Sequence, residues 1–325
     1  MTISILGAGA WGTAIAISLS SEKDIVLWTH NSSTFSSIVE KRESNKLPGY
    51  FIPDNVSVKS DIEEAINSSL IIIATPTQSL REVCQRLNHY KVQKDIPIVI
   101  TCKGIEKSTL MLTSEVVEDV LPDNPIAVFS GPSFAIEVAQ KLPYSMVLAC
   151  RNTSLGLKLI SKLQHENVKL HFSEDVIGVQ ICAALKNVFS IACGIIFGRK
   201  LGYNAHAALI TKSMDEIKTL YLAKTGNNNL DTLLGPSCLG DLVLTCTSFN
   251  SRNLSFGLRV GQSDEYDDIR QILSEDGLLI EGVSTVQSTF ELTQKLGIKM
   301  PVCEAIYRLL YKGASVDDTI SSLMS

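Results

Sequence analysis

Five polar residues in the second half of the chain have types and spacing that could do chemistry: Lys186, Asp241, Thr245, Arg252 and Asn253. Lys186 lies inside VIGVQICAALKNVFSIACGIIFG, residues 176–198, a run that is otherwise almost wholly apolar. Its ammonium must find a partner or titrate at a lowered pKa, because an unpaired buried charge is costly. Such a lysine can hand over a proton near neutrality. Asp241 sits among Leu239, Leu242 and Val243, a setting that suggests a paired carboxylate, and Thr245 shares its helix face four residues on. Arg252 follows the polar run SFNSRN, where a guanidinium suits bidentate capture of an anion. Each residue also has a structural reading. The lysine stretch is long enough for a membrane span and ends in Gly194 and Gly198. A central charge costs about 2.5–3.5 kcal/mol there, and no basic flank supports a span. A core helix whose lysine snorkels to water stays open from the stretch alone, as does a solvated Asp241 or a surface Arg252.

These residues must be held by a frame, and composition bounds its type. The chain has 325 residues, 45% hydrophobic and 19% charged, an ordinary globular composition with room for two domains. Net charge is -5 with no basic block, which argues against nucleic acid as a partner. The eight cysteines (Cys84, Cys102, Cys150, Cys182, Cys193, Cys238, Cys246 and Cys303) include no C-x-x-C and lie mostly in apolar segments. They read as small buried hydrophobes in a reducing compartment. The first residues already read as a strand, leaving no secretory signal, so a cytoplasmic enzyme-sized protein is expected.

The N-terminal half alternates strands and helices. Strand 3–6 leads into GAGAWGTA, where Gly7, Gly9 and Gly12 form G-x-G-x-x-G before an Ala/Ile-rich helix. In that context Gly7 permits the turn, Gly9 lets backbone approach a pyrophosphate and Gly12 lets helix pack on strand. The second strand, 25–29, is followed by His30, Asn31, Ser32 and Ser33, with no carboxylate before Glu40. The acidic residue that would hold an NAD ribose 2′-OH is missing, which biases the site toward NADPH, with NADH possible. Further strands are expected at 56–59, 70–75, 96–101, 126–129, 145–149 and 168–172, with helices at 34–43, from Asp61, at 78–87, 108–120 and from Thr153. Pro76, Lys103 and Ser133 fall at carboxyl ends of strands, and Ser133 is read as a helix N-cap. Beyond Glu174 only helices are expected, at 176–198, 204–224, about 237–245, 252–260, 282–296, 301–312 and 316–323. The fold class is α/β: a Rossmann-like, doubly wound, mostly parallel sheet over 1–174, then an all-helical domain over 175–325.

Taken in order, GAGAWGTA, CKGIE, SGPSFAIEVA, ALKNVFSIACGI, GYNAHAALIT, GDLVLTCTS, SRN, EGVST and MPVCEAIY cover essentially the whole chain. The chain thereby resembles the soluble bacterial NAD(P)-dependent glycerol-3-phosphate dehydrogenases. The resemblance implies reversible reduction of dihydroxyacetone phosphate to sn-glycerol 3-phosphate, which supplies the backbone for phospholipid synthesis. It implies Lys186 as proton donor and acceptor, with Lys103, Gly131, Ser133, Asp241, Ser251, Arg252 and Asn253 at the substrate. At the cofactor it implies Gly7, Gly9, Ala10, Trp11, Gly12, His30, Lys103, Ala135, Arg252, Leu279 and Glu281. No metal, no nucleic acid and no transmembrane segment are expected, and a homodimer is a possible assembly. GPSCLGDL departs from the more glycine- and alanine-rich approach usual before Asp241, so altered packing is expected there.

Overall fold

The computed structural model describes residues 2–227, 230–263, 266–275 and 280–325. It divides into two compact units. One comprises the chain up to Cys102 together with Thr113–Val176, and the other comprises Lys103–Leu112 with Ile177–Ser325.

The first unit is built on an eight-stranded sheet. Its strands are β1 (Thr2–Leu6), β2 (Asp24–Trp28), β3 (Val56–Lys59), β4 (Ile71–Ile73), β5 (Ile98–Ile100), β6 (Ile126–Ser130), β7 (Tyr144–Ala149) and β8 (Val168–Ser173). The spatial order is β3-β2-β1-β4-β5-β6-β7-β8, and every pair is parallel except β6 with β7. Chain order reverses between β1 and β4, the position where such sheets bind nucleotides at their carboxyl edge. The all-aliphatic β4 and β5 are fully buried, as expected of parallel strands covered on both faces. Six helices belong to this unit: α1 (Ala10–Leu19), α2 (Ser32–Lys41), α3 (Leu80–His89), α4 (Thr113–Val120), α5 (Ala135–Ala139) and α6 (Thr153–Leu163).

Three local expectations are corrected. The helix expected from Asp61 is a 3-10 turn, Glu63–Ala65. The helix expected over 108–120 begins at Thr113, because Ile105 bridges back to Leu112 and folds 103–112 into a loop of the second unit. Ser133 is not a helix cap. Phe134 is the N-cap of α5 without a side-chain bond, and Ser133 Oγ instead donates to Gly131 O at 2.9 Å.

The second unit is helical: α7 (Val176–Gly198), α8 (Gly202–Thr225), α9 (Leu230–Leu234), α10 (Asp241–Thr247), α11 (Arg252–Gln262), α12 (Tyr266–Ser274), α13 (Glu281–Leu296), α14 (Pro301–Lys312) and α15 (Val316–Met324). Helices α9 and α12 were not expected from the sequence. The helix expected at about 237–245 is divided: Pro236–Gly240 forms a π turn, and α10 follows. Helix α7 alone among the described helices is long and apolar enough to cross a membrane, but its most apolar window is 89% buried. It is the spine of the core, packed with Leu209, Leu220, Leu242, Leu254 and Val286.

Close approach of α7 to α11 depends on glycine. A Cβ on Gly194 would stand 2.2 Å from Leu254 O, and one on Gly198 2.4 Å from Leu258 O. Gly257 and Gly261 face the carbonyls of Ile191 and Ile195 in the same way, at 2.1 and 2.6 Å. The small residues that resembled a membrane dimer motif thus seat α7 against α11. Cys182 of α7 and Cys238 of the π turn are joined in a disulfide, their Cα atoms 4.8 Å apart. This corrects the reading of all eight cysteines as reduced. The other six are free and buried.

Candidate active site

In the helical unit the charged groups converge on Asp241. This carboxylate is 1% exposed and begins α10, directly after the π turn. Its Oδ1 accepts from Lys186 Nζ at 2.5 Å and its Oδ2 accepts from Lys103 Nζ at 3.2 Å. Lys186 Nζ also donates to Thr245 Oγ1 at 3.0 Å, and Thr245 Oγ1 donates to Asp241 O at 2.6 Å. The i, i+4 spacing of Asp241 and Thr245 therefore presents two acceptors to one ammonium. Lys186 is 7% exposed, so it does not snorkel to water. Burial pulls its pKa down from 10.5 to about 8; Asp241 opposes that pull and Lys103 adds to it. The result is an ammonium whose proton is held but not locked, next to a second cation.

A second polar chain joins α7, α11 and α13. Asn187 Nδ2 donates to Glu281 Oε2 at 3.3 Å, and Asn253 Nδ2 donates to Asn187 Oδ1 at 3.1 Å. The Gly282 amide donates to Asn253 Oδ1 at 3.0 Å. The Asn253 side chain is thus largely engaged within the protein. Ser190 Oγ lies 3.0 Å from Ser251 Oγ and donates to Thr245 O at 2.8 Å. Ser251 is the N-cap of α11, accepting from the Leu254 amide at 3.3 Å. Arg252 is the first helical residue of α11 and is exposed. A guanidinium beside the free amides of an eleven-residue helix suits an anion, because side-chain charge and helix dipole act together. Glu281 opens α13, where burial raises its pKa and Arg252, Lys103 and Lys186 oppose the rise.

The sheet unit carries the other set. Gly7 has φ +120°, and a Cβ there would meet Ala74 O at 2.7 Å. A Cβ on Gly12 would meet Gly7 O at 1.9 Å. Nothing lies within 4 Å of a Cβ on Gly9, the N-cap of α1, so that face of the turn is open to a ligand. Ala10 and Trp11 start α1, and the Trp11 indole Nε1 is buried without a hydrogen-bond partner. An open glycine face, first-turn amides and an orphaned donor fit a dinucleotide phosphate. His30 is exposed after β2, with its ring 5.8 Å from that of Trp28. Asn31 caps α2 by accepting from the Thr34 amide at 2.8 Å. Gly131, at φ +154°, follows β6 where a Cβ would lie 2.9 Å from Met146 Cα. Ala135 begins α5, which packs on α1. Leu279 lies outside the described residues.

Comparison with known proteins now decides the family. Models for the N- and C-terminal domains of NAD-dependent glycerol-3-phosphate dehydrogenase match residues 2–156 and 175–321. The chain belongs to the NAD-dependent glycerol-3-phosphate dehydrogenase family. It is 68% identical to the glycerol-3-phosphate dehydrogenase (NAD(P)+) of Wolbachia pipientis wMel over 100% of both chains. Against the enzyme of the same name from Ehrlichia canis it is 49% identical, again over 100% of both. Among solved structures, the crystal structure of glycerol-3-phosphate dehydrogenase from Coxiella burnetii superposes with a TM-score of 0.93 at 34% identity, covering 100% of this chain and 98% of that one. The chain is therefore an NAD(P)-dependent oxidoreductase, and its Rossmann-like and helical halves are those of the family.

The sequence placed Thr245 on the Asp241 face but showed neither its contact with Lys186 nor the Asn187–Asn253–Gly282 clamp. The i, i+4 offset from Asp241 was the available signal for the first. For the second there was only the adjacency of Asn187 to Lys186 and of Asn253 to Arg252.

Proposed function

We propose that the chain catalyses reversible reduction of dihydroxyacetone phosphate to sn-glycerol 3-phosphate, with the sheet unit as the NAD(P)-binding domain and the helical unit as the substrate-binding and catalytic domain. When bound, NAD(P)H supplies the hydride for the carbonyl carbon. As negative charge develops on the carbonyl oxygen, Lys186 donates its proton to it and is left neutral, to be reprotonated from solvent. In the reverse direction neutral Lys186 takes the hydroxyl proton. Asp241 and Thr245 aim the ammonium, and Lys103 adds positive charge where the oxyanion forms. The observation that carries this reading is the buried Lys186–Asp241 pair, which holds a lysine with a pKa of about 8.

Arg252, at the open N-terminus of α11, receives the substrate phosphate, with Asn253 and Ser251 fixing that helix start. Gly131, Ser133, Lys103 and Asp241 complete the substrate set, and Gly7, Gly9, Ala10, Trp11, Gly12, His30, Ala135 and Glu281 the cofactor set. The absence of a carboxylate among residues 30–39 favours use of NADPH, with NADH accepted. The product would serve phospholipid synthesis in the cytoplasm. A homodimer belongs to this reading, and exposed apolar side chains such as Tyr203, Leu234 and Phe249 on the helical unit support it.

The test compares two substrates in the NADPH absorbance assay. Arg252→Ala should lower kcat/KM for dihydroxyacetone phosphate by at least about 100-fold, since a charged hydrogen-bonded anchor and the alignment it gives are both lost. Dihydroxyacetone, which lacks the phosphate, should be reduced about equally poorly by wild type and variant. A comparable loss on both substrates would place Arg252 at the carbonyl or in the scaffold.

A further inference from the structure

Two buried hydroxyls near the carboxyl edge of the sheet, those of Thr77 and of Ser130 at the end of β6, find no partner among the described residues. Thr77 is 6% exposed, and its Oγ1 has no hydrogen-bond partner among the described residues. Neighbouring hydroxyls are satisfied: Thr101 Oγ1 donates to Ile73 O at 2.9 Å, and Thr75 Oγ1 lies 3.9 Å from Cys102 Sγ. A buried polar group left unpaired costs stability, so its retention calls for a partner from outside the chain.

The position of Thr77 indicates which partner. It follows Pro76 in the loop that leaves β4 and opens the 3-10 turn into α3. That loop is pressed on the glycine turn. Ala74 N donates to Leu6 O at 2.9 Å, Ala74 O lies 2.7 Å from where a Cβ on Gly7 would stand, and Ala74 Cβ lies 3.3 Å from one on Gly12. The β4 loop therefore flanks the place where the Gly9 backbone is open. In a doubly wound sheet each half holds one mononucleotide, and the residues after β2 hold the adenosine ribose. The β4 loop lies on the other side of the reversal, between β1 and β5. It therefore borders the nicotinamide mononucleotide half.

We propose that Thr77 is a cofactor-binding residue whose hydroxyl donates to an oxygen of the nicotinamide mononucleotide half, its ribose or its phosphate. This rests on the dinucleotide reading of the sheet unit given above. NADH and NADPH are identical in that half, so Thr77 contributes to affinity for both and to selectivity between them not at all.

The experiment is titration calorimetry of the whole protein with NADPH, NADH and adenosine 2′,5′-bisphosphate, alongside thermal denaturation without ligand. Thr77→Val keeps the shape and removes the hydroxyl. It should raise Kd for both dinucleotides about 3- to 30-fold, the loss of one hydrogen bond, and leave their ratio unchanged. Binding of the bisphosphate, which lacks the nicotinamide half, should stay within about twofold of wild type. The ligand-free melting temperature should hold or rise, because an unsatisfied buried hydroxyl has been removed. Thr77→Ser should retain most of the affinity, and Thr77→Ala gives the same reading as valine should the valine variant not fold. Unchanged NADPH affinity in the valine and alanine variants would overturn the assignment. So would equal loss of NADPH and bisphosphate with a lowered melting temperature, which would make Thr77 structural. Wild-type protein that binds neither dinucleotide would overturn the dinucleotide reading as well.

Discussion

At the scale of single residues, the proposed proton transfer depends on how Lys186 titrates. Burial lowers its pKa to about 8, Asp241 opposes that shift and Lys103 reinforces it. Because the native pKa lies below 10.5, the unfolded chain binds more protons between about pH 8 and 10.5. This group's penalty on stability is therefore relieved as pH rises through that window. With Lys186 as the proposed proton donor, the rate of reduction should be full below the native pKa and decline as pH rises through about 8; oxidation should show the opposite limb. Asp241→Asn removes the attraction that holds the proton, and the limb should move to lower pH. Lys103→Met removes a repelling cation, and the limb should move to higher pH. The measurement is kcat/KM for dihydroxyacetone phosphate against pH in the three proteins, read for the position of the limb rather than its height. A limb that stays fixed in both variants belongs to a group other than Lys186.

At the scale of elements, α7 and α11 carry Lys186 and Arg252, and glycine sets their spacing. Gly194→Ala would drive a methyl into Leu254 O, a backbone atom that cannot swing aside. Denaturant unfolding should show a loss of about 1–3 kcal/mol, the range of an overpacked core. Wild-type stability in that variant would mean the two helices do not meet as described. Much of this architecture was legible in the sequence for a physical reason. Aliphatic runs such as Ile71–Ile73 announce doubly covered strands, and α7 kept its expected bounds because nothing in 176–198 breaks a helix. What was not legible depends on tertiary partners. Helix α9 has only five residues, too few to show a period. The excursion 103–112 is closed by a bridge from Ile105 to Leu112 that no local pattern requires. The partners Cys182 and Cys238 are 56 residues apart, and only the packing of α7 on the π turn pairs them. Asn253 read as a ligand group, and most of its amide proved to hold Asn187 and Gly282.

At the scale of the molecule, the glycine turn and the proposed proton-transfer group lie in different units. The glycine turn, Trp11 and Thr77 belong to the sheet unit, whereas Lys186, Asp241, Lys103 and Arg252 belong to the helical unit. Cofactor affinity and proton transfer should therefore be separable by mutation. The most direct test is single-turnover reduction of dihydroxyacetone phosphate by Lys186→Met, paired with a titration of NADPH binding. The account predicts NADPH affinity within about twofold of wild type and a rate of reduction lower by about 10²–10⁴-fold, the range of a lost general acid. A variant that keeps more than half of the wild-type rate would contradict it.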